Sequence, residues 1–166
     1  MNAAFAPATL TAEELLFRPA TLLDVSAMAQ LRSEQWGNAP DWERSLAAYL
    51  SGEHHPRHAL LPRVAILAEQ DGEVIGFIAG HLTRRHRCEG ELQWINVSAD
   101  HRGQGVATGL LHELADWFAS HNARRICVDV RPRNLAARAF YTHNGAEPLN
   151  DHWMVWNNIA NGVSGR

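Results

Sequence analysis

The sequence predicts an α/β (α+β) fold, a mixed central sheet of about six to seven strands flanked by about four helices on its two faces. Three observations predict it. Apolar runs of strand and helix periodicity alternate along the chain in the order βααβββαβαβ. The 166 residues, 46% hydrophobic and 20% charged, have the make-up of one ordinary globular domain. At this length folding removes roughly 70% of the chain's surface from water, enough for a core without disulfides or metal. Finally, a glycine-bearing turn at 102–107 joins a strand directly to a helix.

The elements follow in order. Residues 1–13 are rich in Ala, Pro and Thr and read as a flexible leader. Leu15 to Arg18 form a short strand, stopped by Pro19, which cannot donate to a ladder. Asp24 is an N-cap for a helix to about residue 34, with Val25, Met28, Ala29 and Leu31 near helical spacing. Gly37 to Pro40 break it, and a second helix covers 41–50. The polar, proline-punctuated stretch 53–63 is a loop. Residues 64–69 and 74–83 form a hairpin about the turn 70–73, and 91–97 are a third strand of the run. The next helix, 107–122, sets Ala107, Leu110, Leu111, Leu114 and Phe118 on one face. A strand at 125–130, a helix opened by Pro132 and Asn134 and closed by Gly145, and a last strand at 152–157 complete the chain, leaving a flexible tail over 159–166.

Composition excludes several classes. Fifteen Lys and Arg against eighteen Asp and Glu give a net charge of −3, which argues against a protein held to nucleic acid by phosphate contacts. No apolar stretch approaches the ~18–20 residues that span a bilayer, and no secretory signal is visible at the N-terminus. Cys88 and Cys127 make neither a disulfide framework nor a CxxC pair. A reduced, cytoplasmic protein without membrane contact is expected. His54, His55 and His58 lack metal-ligand spacing and read as solvated, so no metal is expected. Arg84, Arg85 and Arg87 read as an exposed hairpin.

The chemistry concentrates in 91–145. Gly103 and Gly105 lie just before a helix N-terminus, where unpaired N–H groups and the positive end of the dipole suit a phosphate or pyrophosphate. Two glycines in that place could equally make only a tight connection. No Lys-Ser/Thr follows, which excludes a Walker loop, and Thr108 stands where a dinucleotide fingerprint needs glycine.

Here the chain resembles the GNAT superfamily of N-acetyltransferases. Arg102, Gly105 and Ala107 match the Q/R-x-x-G-x-G/A loop that binds acetyl-CoA pyrophosphate in that family. FRPAT at 17–21, INVSADHRGQGVA at 95–107 and VDVRPRNLAARAFYTHNGA at 128–146 resemble its opening strand, its fourth strand and loop, and its fifth strand and helix. The likeness covers about 15–157, and implies a single GNAT domain over 14–158. It implies that the backbone of Ile95, Asn96 and Val97 pairs with the pantetheine arm, that the amides of Arg102, Gly103, Gln104, Gly105, Val106, Ala107 and Thr108 hold the pyrophosphate, and that Asn134 lies near the pantetheine as well as capping its helix.

Tyr141 matches the tyrosine that protonates the departing thiolate, a role suited to a phenol that keeps its proton at neutral pH. Asp129 matches an acidic position in some relatives and is the favoured general base, with Glu89, Glu91 or water as rivals. Gln93 stands where many aminoglycoside-acetylating relatives carry Glu, and an amide cannot serve as a base. Ala99 replaces the usual proline before the loop, and Asn144-Gly145-Ala146 replaces the usual Leu-Gly-Phe. The resemblance implies acetyl-CoA as co-substrate, with direct transfer to a primary amine of a small molecule or peptide in a ternary complex. A non-catalytic acyl-CoA sensor is the alternative. Trp36, Trp42 and Tyr49 either wall the acceptor site or pack the core, and Trp153 and Trp156 face opposite ways, which leaves a homodimer open.

Overall fold

The computed structural model describes residues 14–163. The expected leader at 1–13 and the end of the expected tail, 164–166, lie outside the described residues. The strands β1 (Leu15–Pro19), β2 (Ala59–Gln70), β3 (Glu73–Thr83), β4 (Gly90–Val97), β5 (Ile126–Asp129), β6 (Glu147–Pro148) and β7 (Trp153–Trp156) form one sheet in the order β1-β2-β3-β4-β5-β7-β6. All neighbours are antiparallel except β4 and β5. The mixed seven-stranded sheet is the architecture expected.

Helices cover both faces. On one, α1 (Val25–Trp36) and α2 (Ala39–Ser51) bury Met28, Leu46 and Tyr49 against Leu67, Phe77 and Ala79. On the other, α3 (Val106–Ser120) sets Leu110, Leu111, Leu114 and Phe118 against Ile66, Ile78, Leu92 and Ile126, the stripe its sequence period foretold. The helix α4 (Leu135–His143) joins this face through Tyr141.

Three expectations need correction. β2 begins at Ala59, inside the stretch read as a loop. Pro62 fits there because the pairing with β3 is irregular between Leu60 and Arg63, and β1 pairs β2 only from Ile66 onward, so no partner needs the missing N–H. Pro19 ends β1 from within, paired with Ile66 at the sheet edge. The segment read as a tail forms a helical turn, α5 (Ile159–Gly162), because Ile159 and Val163 are buried in the α3-side core.

Arg18 fastens β1 to β2 and to the start of α1. Its guanidinium donates to both carboxylate oxygens of Asp24 at 2.8 and 2.9 Å, and to Glu69 at 2.7 and 2.9 Å. Asp24 Oδ2 also accepts the Thr21 N–H at 2.8 Å, in a capping box. These bonds, led by the one from Arg18, hold the Asp24 carboxyl down at about 2. A depressed carboxylate contributes its stability above the unfolded pKa and loses it as pH falls through the folded one. The stability gap between the wild type and Asp24→Asn is therefore expected to be full above about pH 4 and to close toward pH 2. Urea midpoints across that range test this, and a gap that does not narrow would remove Asp24 as the source.

Candidate active site

The parallel pair β4–β5 is short. Only Gly90, Glu91 and Leu92 pair, with Ile126, Cys127 and Val128. Beyond them the strands part, although β4 runs on to Val97. Within β4, Gly80 faces Leu92 and Ala79 faces Trp94, so Gln93 is the extra residue of a bulge. The bulge turns Trp94 to pack with the α1/α2 core, while Ile95 and Val97 pack with the α3 core. Between the parted strands lies a cleft of about 660 Å³ walled by α1, β4, the end of β5 and α4.

From Gln93 to Val97 the edge of β4 that faces β5 has no ladder partner, so its N–H and C=O groups point into the cleft. This open edge leads to the N-terminus of α3. Gly103 and Gly105 there have φ of 75° and 82°, conformations that side chains rarely adopt. Gly105 is the N-cap and offers no side-chain cap, so the amides of the first turn of α3 are left to solvent or a ligand. A Cβ at either glycine would meet only open space, so the approach to the backbone is clear.

Of the residues marked from sequence, Ile95, Asn96, Val97, Arg102, Ala107, Asp129, Asn134 and Tyr141 line the cleft. Gly103, Gln104 and Gly105 form an exposed turn outside the lining, Val106 packs into the core, and Thr108 is half-buried away from the cleft. Arg102 turns its Nε to the Val97 carbonyl at 3.3 Å. Asn134 caps α4, accepting the Ala137 N–H at 3.2 Å.

Tyr141 is 5% exposed and stands edge-on to Trp156, whose own indole N–H donates to the Asn144 carbonyl at 2.9 Å. Burial pushes the Tyr141 phenol well above its ordinary range, against a smaller downward pull from the Arg32 charge. It therefore carries its proton throughout the neutral range.

The acidic candidates separate clearly. Glu89 lies outside the cleft, and its Oε1 accepts the N–H groups of Arg124 and Arg125 at 3.1 and 3.2 Å, a backbone-capping task. Asp129 lies in the cleft and is exposed. Glu91 also faces the cleft, but is buried and backed by a buried chain: Glu91 Oε2 is 3.3 Å from His81 Nε2, and His81 Nδ1 is 2.9 Å from the Tyr49 hydroxyl. A carboxylate only accepts, so a neutral His81 carries its proton on Nε2 and accepts the Tyr49 O–H at Nδ1. Burial accordingly pushes the Tyr49 phenol up. The Gln93 carboxamide oxygen is buried beside the cleft without a partner.

Arg32, Trp94 and Arg131 line the cleft and were not marked from sequence, and neither was His81, which is buried behind Glu91. Arg85, read as part of an exposed hairpin, instead lines the cleft 3.7 Å from Glu91 and 4.7 Å over the Trp153 ring. Trp36 and Trp42 are cleft walls, whereas Tyr49 and Trp156 belong to the core. The antiparallel pairing of β3 with β4 was readable, and it sets His81 opposite Glu91.

Tyr49→Phe leaves His81 Nδ1 buried without a partner, and is expected to cost about 1–3 kcal/mol. A lowered urea midpoint with an unchanged slope would show it, and a midpoint equal to the wild type would remove the hydrogen bond as a stabilising contact.

A family model described as "Acetyltransferase (GNAT) family" matches residues 25–146. An L-2,4-diaminobutyric acid acetyltransferase of Nocardia farcinica is 28% identical over 130 residues, covering 74% of this chain and 67% of that protein. The uncharacterized N-acetyltransferase YobR of Bacillus subtilis is 35% identical over 63 residues, which span 38% of this chain and only 26% of YobR. Among solved structures, the PaiA N-acetyltransferase of Thermoplasma acidophilum in complex with coenzyme A superposes with a TM-score of 0.69 at 15% identity, covering 87% of this chain and 99% of that one. No described helix is long and apolar enough to cross a membrane.

Proposed function

The chain belongs to the acetyltransferase (GNAT) family, and from that premise we propose that it moves an acetyl group from acetyl-CoA directly to a primary amine of a small molecule or peptide. The observation that carries this reading is the unpaired edge of β4 leading to the uncapped amides of α3. An extended amide-bearing arm can add to that edge as a further strand, and a pyrophosphate suits the helix N-terminus. The co-substrate supplies an activated thioester carbonyl. With both cysteines free, that reading suits a reduced, cytoplasmic protein. The name of the Nocardia relative, an acetyltransferase of a diamino acid, supports a small amine as acceptor.

In this mechanism the backbone of Ile95, Asn96 and Val97 holds the pantetheine arm, and β4 amides polarise the thioester oxygen. Residues 102–108 hold the pyrophosphate, and Asn134 borders the arm. Asp129 accepts a proton from the acceptor ammonium, directly or through water, so that the nitrogen lone pair can attack. A C–N bond forms, the C–S bond breaks, Tyr141 gives its proton to the departing sulfur, and the phenolate recovers a proton from the new amide nitrogen, directly or through water. One observation favours Glu91 as a second candidate for the base: it reaches the cleft with a continuous hydrogen-bonded chain behind it. The sensor alternative gives no task to a protonated phenol held in the cleft.

Tyr141→Phe is expected to lower kcat by about 100-fold or more, the usual contribution of a positioned acid, while the acetyl-CoA Kd stays within about twofold. Equal turnover would remove Tyr141 as the acid, and acetyl-CoA binding without turnover of any amine by the wild type would favour the sensor. With Asp129 as base, Asp129→Asn abolishes the acid limb of the pH–rate profile and Glu91→Gln keeps it. The reverse pattern would transfer the role to Glu91.

A further inference from the structure

Four arginines line the cleft, Arg32, Arg85, Arg102 and Arg131, against two carboxylates, Glu91 and Asp129. Two of the four are engaged. Arg85 lies beside Glu91 and donates to the Arg57 carbonyl at 2.8 Å, and Arg102 donates to Val97.

Arg32 and Arg131 differ. Arg32 gives one N–H to Asn96 Oδ1 at 2.9 Å, but its Nε is buried with no partner. Its guanidinium carbon stands 4.3 Å over the Trp42 ring, 5.7 Å over Trp36 and 6.0 Å over Trp94. From the opposite wall Arg131 reaches the same Trp36 ring at 5.3 Å. Among the described residues no carboxylate pairs with either. Burial lowers Arg32 to about 10, so it remains a cation at neutral pH. Two guanidinium groups on one indole repel each other, and a half-buried cation without a counter-ion is costly. The aromatic faces offset part of that cost, and a bound anion would offset the rest.

We propose that Arg32 and Arg131, bracketing Trp36, form an anion subsite of the acceptor pocket, so that the amine acetylated belongs to a molecule of amino-acid type whose carboxylate pairs with these two guanidinium groups. The inference rests on the acetyl-transfer reading above and names its acceptor class. Arg32 serves the reacting end of the cleft, because its charge acts on Tyr141 and its neighbours are Trp94 and Asn96. The start of α3, by contrast, packs on the opposite face of the sheet from Trp42 and Trp94. The acceptor's ammonium then goes to the Glu91 and Asp129 side of the same cleft. The same charges disfavour polycations such as polyamines and aminoglycosides, which carry no group for the subsite.

The test uses the full chain, saturating acetyl-CoA and thiol release, with a blank for Cys88 and Cys127. The acceptors are the twenty standard amino acids, ornithine, and the amines left when each carboxylate is removed, among them putrescine beside ornithine and cadaverine beside lysine. The expected result is turnover of at least one amino acid with kcat/KM about tenfold or more above its matched amine. Arg32→Gln then raises the KM of that acceptor by about 10- to 100-fold, leaving the acetyl-CoA Kd and the KM of the matched amine unchanged. Arg131→Gln acts in the same direction with a smaller effect. Arg131 is exposed, so that variant decides the matter if Arg32→Gln does not fold. Arg32→Lys, which keeps the charge but not the planar fork, recovers part of the affinity. Matched amines that react as well as the amino acids would overturn the proposal. So would a whole panel that stays inert while acetyl-CoA still binds. A fall in kcat at unchanged acceptor KM would assign Arg32 to the departing sulfur and overturn it too. Failure of the wild type to bind acetyl-CoA would instead sink the acetyl-transfer reading.

Discussion

The parting of β4 from β5 after Leu92 and Val128 is the constraint on which the rest of the structure depends. Parallel strands pair through evenly spaced bonds, and nothing in the backbone alone ends such a ladder midway. Two local features shape this one, and the second ends it. At the paired end Gly90 leaves room for the Phe118 and Ile126 side chains, and a Cβ there would overlap the Phe118 ring. At the parting point Gln93 adds a residue to β4, which increases local twist and turns the strand away. The strand edge so freed is stable only because it borders a polar cleft rather than the core. Buried unpaired N–H and C=O groups would otherwise cost what a lost hydrogen bond costs.

Two arginines show how the fold treats charge differently in its frame and in its cleft. Arg18 meets Asp24 and Glu69 in four hydrogen bonds, which raise its own pKa and depress that of Asp24. Every group in that cluster finds an opposite charge, and the cluster ties three elements together. Arg32 is more deeply buried and has one neutral partner, three indoles and no carboxylate. Its pKa moves down where that of Arg18 moves up, and the cause in each case is the neighbourhood rather than the residue type. A cation kept in that state is unfavourable to folding unless the cleft is a place for anions.

What the sequence revealed, and what it concealed, follow from the range of the interactions concerned. The turn at 102–107 with its glycines, the Asn134 cap and the placing of Tyr141 on a helix are local patterns, and the structure has each of them. The strand pair β3–β4 was readable as well, so His81 and Glu91 were within reach as partners. Arg32 was not, because its neighbours Trp94 and Asn96 lie more than sixty residues away and their facing depends on the bulge at Gln93. Counting by twos from Glu91 without that extra residue assigns them to the wrong face. Arg85 was lost for another reason. His86 and Arg87 adopt positive φ, and this compact turn carries Arg85 back over Trp153 instead of out into solvent.

Opposed influences act on Tyr141. Burial holds the phenol strongly protonated, and Arg32, across the cleft, pulls the other way. A free alkyl thiol has a pKa of about 8.5 and a phenol about 10, so handing the proton from phenol to thiolate runs uphill even before burial is counted. Burial alone would make Tyr141 a poorer acid by widening that gap. In the acetyl-transfer reading a guanidinium held near the phenol narrows it, because it stabilises the phenolate left behind. Desolvation and charge are thus set against each other on one phenol, and a half-buried cation is screened less than one on the surface. In the acetyl-transfer reading the same cation orients the acceptor and moderates the acid, and both effects follow from keeping Arg32 among indoles instead of pairing it with a carboxylate.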